Sequence, residues 1–439
     1  VTPNIKRWMT ARRLSLGLII ALAGMMYVST LIPQAVDSAP DQLGAWRRGH
    51  AYLLWLVDGA RLHRIYSQPW FAATILLAAT ALAISSWDQF AAARRKLRSA
   101  ETGGGEEMAA SAAEHTLRSA ARSRHYLCFR AAAPGRLKFI RNPWGYFGNL
   151  SLHIGMVLVA GASLYAALTA RQGVLILVEG EWRDNRQAWN ASEHGILAAP
   201  LSLPGAIRLD KVRVRFGAKN QPAEVSSDIT IAEADGRTES FTATINRIAG
   251  YRGLRVYHAS QYGDAFALEF IDAQGNTHFE KLPIQQPLGP AKAGYGDFGL
   301  RWSPHALSAK YFADVNQRSM TGATPLLVMR LIDRGREISR VSLTPGGSAL
   351  LGDYRVRLLG VEKWAKLIFV DIGGIPVIFA GFAVIMLGGL VHYMAPPREL
   401  IAVRQEDGTY RVWWKAPAFR EFFVDERDEL TEALRKGHP

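Results

Sequence analysis

The sequence predicts an integral membrane protein with four transmembrane helices and a large, mainly β domain, a sandwich or open barrel, between the third and the fourth. Three observations predict it. Apolar residues gather in four blocks of about 20, the length that crosses the ~30 Å hydrocarbon core of a bilayer at about 1.5 Å per residue. Basic residues crowd the segments on one side of those blocks. The stretch between the third and fourth blocks changes to short runs of β-branched and aromatic residues separated by turn residues, the pattern of an antiparallel β fold.

Residues 1–13 form a basic tail with Lys6, Arg7, Arg12 and Arg13, and residues 14–32 are the first span. A cleavable signal peptide would share that layout, but this run is long and leaves through S-T-L-I-P-Q rather than a small-x-small site, so it is expected to stay in place. Residues 33–69 are an exported loop whose 41–66 portion mixes aromatics, leucines and arginines as an interfacial amphipathic helix does. Residues 70–87 are the second span. Residues 88–147 are a basic cytoplasmic segment with Arg94, Arg95, Lys96 and Arg98, a break at 103–105 (Gly-Gly-Gly) and an aromatic approach, Trp144 and Tyr146, to the third span. The third span is 148–169, the exported β domain 170–366, the fourth span 367–394, and 395–439 a cytoplasmic β-turn-helix tail.

This orientation puts both termini inside, because lysine and arginine near span ends stay on the cytoplasmic side. Arg47, Arg48, Arg61 and Arg64 go against the rule, although Asp37, Asp41 and Asp58 share their loop. The net charge of +14 would also suit a nucleic-acid binder. Its placement beside the spans argues for the membrane instead. The single cysteine, Cys128, falls in the cytoplasmic segment, so the exported domain has no disulfide, no C-x-x-C pair and no C-x-x-C-H haem attachment site.

The residue with the sharpest chemical meaning is His153, about five residues or roughly 7 Å inside the third span. An imidazole there needs a hydrogen-bond or metal partner where water is scarce, and the residues leave two roles open, a tie to a neighbouring span or an axial ligand to haem iron. His392 lies near the same end of the fourth span, either as an interfacial anchor or as a second ligand. His194, His258, His278 and His305 show no metal-ligand spacing, and no G-x-S-x-G, P-loop or carboxylate dyad is present. Asp371, with Lys363 and Lys366 nearby, reads as an ion pair at the start of the fourth span.

Four segments in order resemble the ResB (CcsB) family of System II cytochrome c biogenesis. They are S-T-L-I-P-Q closing span one, W-G-Y-F-G-N-L-S-L-H-I-G-M entering span three, N-R-I-A-G-Y-R-G-L-R-V-Y-H-A-S-Q-Y-G in the β domain, and D-I-G-G-I-P-V-I-F-A-G-F opening span four. The resemblance implies a bacterial inner-membrane protein that works with a ResC or CcsA partner as a haem export channel and cytochrome c haem lyase. The partner of this family carries a tryptophan-rich segment of the W-G-x-x-W-x-W-D type, absent here, so the chain is expected to be the accessory half, with its catalytic residues not assigned. The span histidine of the family falls on His153, which implies an axial ligand to haem b in transit, with the second ligand from the partner and apocytochrome c received outside. Two departures stand out: His258 in Tyr257-His258-Ala259-Ser260-Gln261-Tyr262-Gly263, where the family tends to Y-Q-x-S-Y-G, and Gly373-Gly374 where it tends to Pro-Gly. Two other readings of the residues remain, a membrane-anchored docking or assembly protein without haem, and a membrane b-type cytochrome using His153 and His392.

Overall fold

A computed structural model describes residues 3–36, 38, 42–131, 133–184, 189–217, 220–321 and 324–436; Asp37 and Asp41 lie outside the described residues. Among the described residues four helices are long and apolar enough to cross a membrane: Arg12–Leu31, Pro69–Arg98, Gly148–Thr169 and Ile375–Met394. The rest is mainly β. The chain divides into two units, one of Val1–Met25, Pro69–Ala166 and Gly373–Pro439, the other of Met26–Gln68 and Ala167–Ile372.

In the first unit, the helices are joined to a sheet built from two distant stretches of chain. Its antiparallel order is Glu106–Ala112, Tyr410–Lys415, Arg398–Arg404, Arg136–Arg141, Leu127–Arg130. Helices Glu114–Ser123 and Val424–Lys436 cover one face, burying Leu117, Ala121, Leu430 and Leu434 against Phe139, Leu400, Val412 and Trp414. The basic segment and the tail, expected as separate pieces, are therefore one domain, because neither stretch alone has enough apolar surface to close a core. The triple glycine is a tight turn rather than a flexible break. Gly104 takes φ +77°, Gly105 backs onto Trp413 and Trp414, and Lys415 Nζ donates to the Gly103 carbonyl at 3.0 Å.

The second unit is organised by two 18-residue strands, Leu254–Ile271 and Tyr354–Asp371, paired antiparallel at the centre of a seven-stranded sheet. Two expected strands, G-L-R-V-Y-H-A and F-A-L-E-F-I, are thus one, interrupted by a bulge between His258 and Tyr262. One face of this pair backs two smaller sheets. At one end Val256, Leu367 and Phe369 meet Ile207, Leu209, Ile229 and Ile231 from the four-stranded sheet containing Gly205–Phe216 and Pro222–Glu233. At the other, Phe266, Leu268, Phe270, Val356 and Leu358 meet Leu307, Tyr311, Leu327 and Met329 from the sheet containing Ala306–Phe312 and Leu326–Asp333. The domain is two sandwich cores on a shared backing sheet, with Asp264 and Lys363 paired at 2.8 Å between them.

That arrangement corrects the start of the fourth apolar helix. Residues 367–371 are strand, with Leu367 and Phe369 fully buried, and the helix begins only at Ile375 after Gly374 turns at φ +83°. Hydropathy cannot separate a buried strand from the apolar helix that follows it. Asp371 ends the strand and pairs with Arg171, whose Nε donates at 3.0 Å, while Lys363 pairs with Asp264 and Lys366 Nζ donates to the Ser38 carbonyl at 2.5 Å. The expected interfacial helix is broken into Gln42–Gly49, Ala51–Leu53, Leu54–Gly59 and Leu62–Ser67. Gly49 and Gly59 end two of the pieces, and Arg61, at φ 51°, turns the chain into the last one.

Candidate functional site

His153 stands on a helix whose opposite side is committed to packing. Gly148, Gly155 and Ala162 recur at seven-residue spacing on Gly148–Thr169, and Gly374, Gly381 and Gly388 do the same on Ile375–Met394 or its N-cap. The two sets meet antiparallel. A Cβ on Gly155 would lie 2.7 Å from the Gly381 carbonyl oxygen and 2.8 Å from the Ile385 amide nitrogen. One on Gly388 would lie 2.7 Å from the Leu152 amide nitrogen, and one on Gly148 2.7 Å from His392 Cα. Small residues are what allow two apolar helices to bring their backbones this close.

At about 100° per residue, His153 is rotated about 140° from Gly148 and about 160° from Gly155. Its imidazole therefore leaves the helix on the side away from the glycine seam, and it is half-buried. Nδ1 lies 2.9 Å from the Asn149 carbonyl oxygen, one helical turn back. A carbonyl can only accept, so Nδ1 carries a proton, and in the neutral imidazole Nε2 then presents its lone pair. Among the described residues Nε2 has no hydrogen-bond partner. An imidazole with Nδ1–H tied to a backbone carbonyl and Nε2 open is the form that binds a metal, its tautomer and ring plane set in advance.

His392 sits differently. Its backbone lies against Gly148 in the seam, and its ring packs edge-on against Tyr393 at 4.9 Å. The helix register thus sends the two imidazoles to different sides of the Gly148–Thr169 helix, and a single haem held by both does not follow from it. The β-domain histidines lie apart. His194 Nδ1 donates to the Gly195 carbonyl, His278 stacks on Trp302 at 4.3 Å, and His305 approaches Asp333 at 3.7 Å. His258 is buried at the bulge, with Nδ1 donating to the Ala259 carbonyl at 2.7 Å and Nε2 unpartnered among the described residues.

Burial pushes the His258 pKa below its ordinary value, opposed only by the Ala259 bond; burial and then Arg64 do the same to His63 in the same unit. Both therefore keep the neutral form to lower pH in the folded chain than in the unfolded one, where they titrate near pH 6.5. Below that pH the unfolded chain binds protons that the folded chain does not, so stability is full above about pH 6.5 and declines as pH falls toward the folded values, with a slope of at most about 1.4 kcal/mol per pH unit for buried His258 and much less for half-buried His63, which solvent screens. Denaturant midpoints followed by tryptophan fluorescence at pH 7.5 and 5.5 should therefore drop on acidification, and less in His258→Gln. An equal drop in both proteins would remove His258 from the account.

A second cluster escaped the sequence reading. Lys138 is completely buried; its Nζ donates to the carbonyls of Lys96 and Ser99, each at 2.6 Å, and pairs with Glu399 at 2.9 Å. Tyr146 donates to the other Glu399 oxygen. One ammonium thereby caps the end of Pro69–Arg98, where the helix dipole favours a cation. Through Glu399 it also ties the lead-in to Gly148–Thr169 and the exit of Ile375–Met394. Burial lowers the Lys138 pKa, and Glu399 works against that. The only signal in the sequence is a lysine inside the apolar run L-K-F-I.

The ResB-like family matches residues 12–363. The chain belongs to the ResB-like family. Among curated relatives, a protein named "Cytochrome c biogenesis protein CcsB" from Gloeobacter violaceus is 24% identical over 467 residues, covering 99% of this chain and 92% of its own length. Proteins of the same name from Paulinella chromatophora and a Synechococcus strain are 22% and 25% identical, covering 88% and 93% of this chain and 88% and 91% of their own lengths. The ResB-like match takes in three of the four apolar helices, His153 and nearly all of the β domain, and these CcsB relatives give the chain a role in cytochrome c biogenesis.

Proposed function

We propose that this chain is the accessory half of a ResB/ResC-type haem export channel and cytochrome c haem lyase of System II, in the cytoplasmic membrane of a bacterium. The observation that carries the reading is the state of His153: proton on Nδ1, held by Asn149, and an unpartnered Nε2 on the face of its helix that the glycine seam leaves free. Haem is the cargo, and its iron accepts a neutral imidazole. His153 holds it as one axial ligand, and the second comes from a CcsA-type partner that approaches from the side away from the seam. Both termini and the five-stranded sheet domain are inside. The β domain is outside and receives apocytochrome c, whose reduced thiols add to the haem vinyl groups; this chain offers no exported thiol, so the reductant belongs to other proteins.

Co-expression of the chain with a CcsA-type partner and a reporter cytochrome c tests the reading. Mature cytochrome should fall to background with His153→Ala and persist with His392→Ala. Equal loss from both would favour a membrane b-type cytochrome. No loss from either would favour a docking protein in which His153 only joins helices.

A further inference from the structure

The apolar sequence of Pro69–Arg98 ends at Trp87, but the helix continues about three turns further. Trp87, Phe90, Arg94, Arg95 and Arg98 line an open groove of about 740 Å³ along that extension. Trp87 is 68% exposed and its ring is 6.0 Å from that of Phe90. Beyond them the groove turns cationic. Arg94, Arg95, Lys96 and Arg98 are exposed, and among the described residues none of their side chains has an ion-pair or hydrogen-bond partner. The acid on the same stretch, Asp88, is neutralised by Lys6 at 2.5 Å, which leaves Glu101 as the one carboxylate among the lining residues.

Arg94 and Arg98, four residues apart, and Arg95 and Arg98, three apart, share one face of the helix, and like charges at that spacing are mildly destabilising until a counter-charge joins them. We propose that the groove binds the headgroup of an anionic phospholipid, with the phosphate between Arg94, Arg95 and Arg98 and the glycerol and upper acyl chains against Trp87 and Phe90. The inference rests on reading Pro69–Arg98 as a membrane span. Trp87 then stands at headgroup level, where indoles gather. The guanidinium forks beyond it match phosphate oxygens two at a time, which a diffuse ionic atmosphere does not exploit. Haem is also an anionic amphiphile, but the lining has no histidine, cysteine, methionine or tyrosine to take its iron.

Native mass spectrometry of the full chain in detergent, with phosphatidylglycerol and phosphatidylcholine added at equal concentration, tests this. Wild type should retain phosphatidylglycerol in preference to phosphatidylcholine. The triple variant Arg94→Gln, Arg95→Gln, Arg98→Gln should bind it at least about tenfold more weakly, since each cation facing an anionic surface contributes on the order of 1 kcal/mol, a factor of about five. Trp87→Ala should weaken retention of both lipids without changing the preference between them. Equal retention by wild type and the triple variant, or no preference in wild type, would make the groove a solvated face and overturn the proposal. Haem added in place of lipid should bind wild type and triple variant alike; haem binding that depends on the arginines, with lipid retention that does not, would also overturn it.

Discussion

Replacing Gly155 with alanine is expected to destabilise the helix pair sharply, although alanine is the better helix former. The added Cβ would sit 2.6 Å from Ile385 Cγ1, 2.7 Å from the Gly381 carbonyl oxygen and 2.8 Å from the Ile385 amide nitrogen. A side chain could rotate away, but the two backbone atoms cannot. The helices must separate instead, with loss of contact along the whole seam, and overpacking of this kind costs about 1–3 kcal/mol. Gly155→Leu and Gly381→Leu should cost more. Gly161, on the same helix with nothing within 4 Å of a built Cβ, supplies the control. Gly161→Ala should be neutral or stabilising by up to about 1 kcal/mol, the helix propensity gain alone. The measurement is the fraction of full-length chain remaining monodisperse in detergent after graded heating. If Gly155→Ala and Gly161→Ala behave alike, the helices do not meet at these glycines, and the outward aim of His153 loses its basis.

The second large effect is expected at Lys138. Lys138→Met leaves Glu399 as a buried carboxylate facing only the Tyr146 hydroxyl, and strips the donor from the carbonyls of Lys96 and Ser99. Breaking a buried pair by removing one partner costs about 3–5 kcal/mol, most of it the stranded charge. The double variant Lys138→Met, Glu399→Leu removes that charge and should regain a large part of the loss, though not all, because the two carbonyls stay unsatisfied. Heat resistance of the full chain should rank wild type, then the double variant, then Lys138→Met. A double variant no better than Lys138→Met would mean that the carbonyl caps, and not the ion pair, hold the helix ends together.

The sequence carried the four apolar helices because blocks of about 20 apolar residues announce themselves whatever the tertiary context. Where an apolar strand ran straight into an apolar helix at 367–375, that signal could not mark the change, and only Gly373, Gly374 and Pro376 hinted at it. The five-stranded sheet was illegible for a different reason. Arg136–Arg141 pairs with Arg398–Arg404 across more than half the chain, and a six-residue strand does not specify so distant a neighbour. His153 was legible as a costly polar residue, and its bond to Asn149 comes with the helix, since the carbonyl one turn back is always within reach. Its direction follows from the seven-residue recurrence of Gly148, Gly155 and Ala162 against Gly374, Gly381 and Gly388, a pattern that hydropathy does not register. Lys138 gave no more than an unexpected charge in an apolar run; its partners come from 39, 42 and 261 residues away.

If the open Nε2 of His153 ligates haem iron, a free imidazole can take its place. The direct measurement is the reduced absorption spectrum of the chain purified with its CcsA-type partner, as wild type and as His153→Ala, with and without added imidazole. Wild type should show a haem spectrum, His153→Ala should lose it, and imidazole should restore it by replacing the missing ligand in the space the side chain vacates. Haem absent from wild type, or retained unchanged in His153→Ala, would contradict ligation by His153.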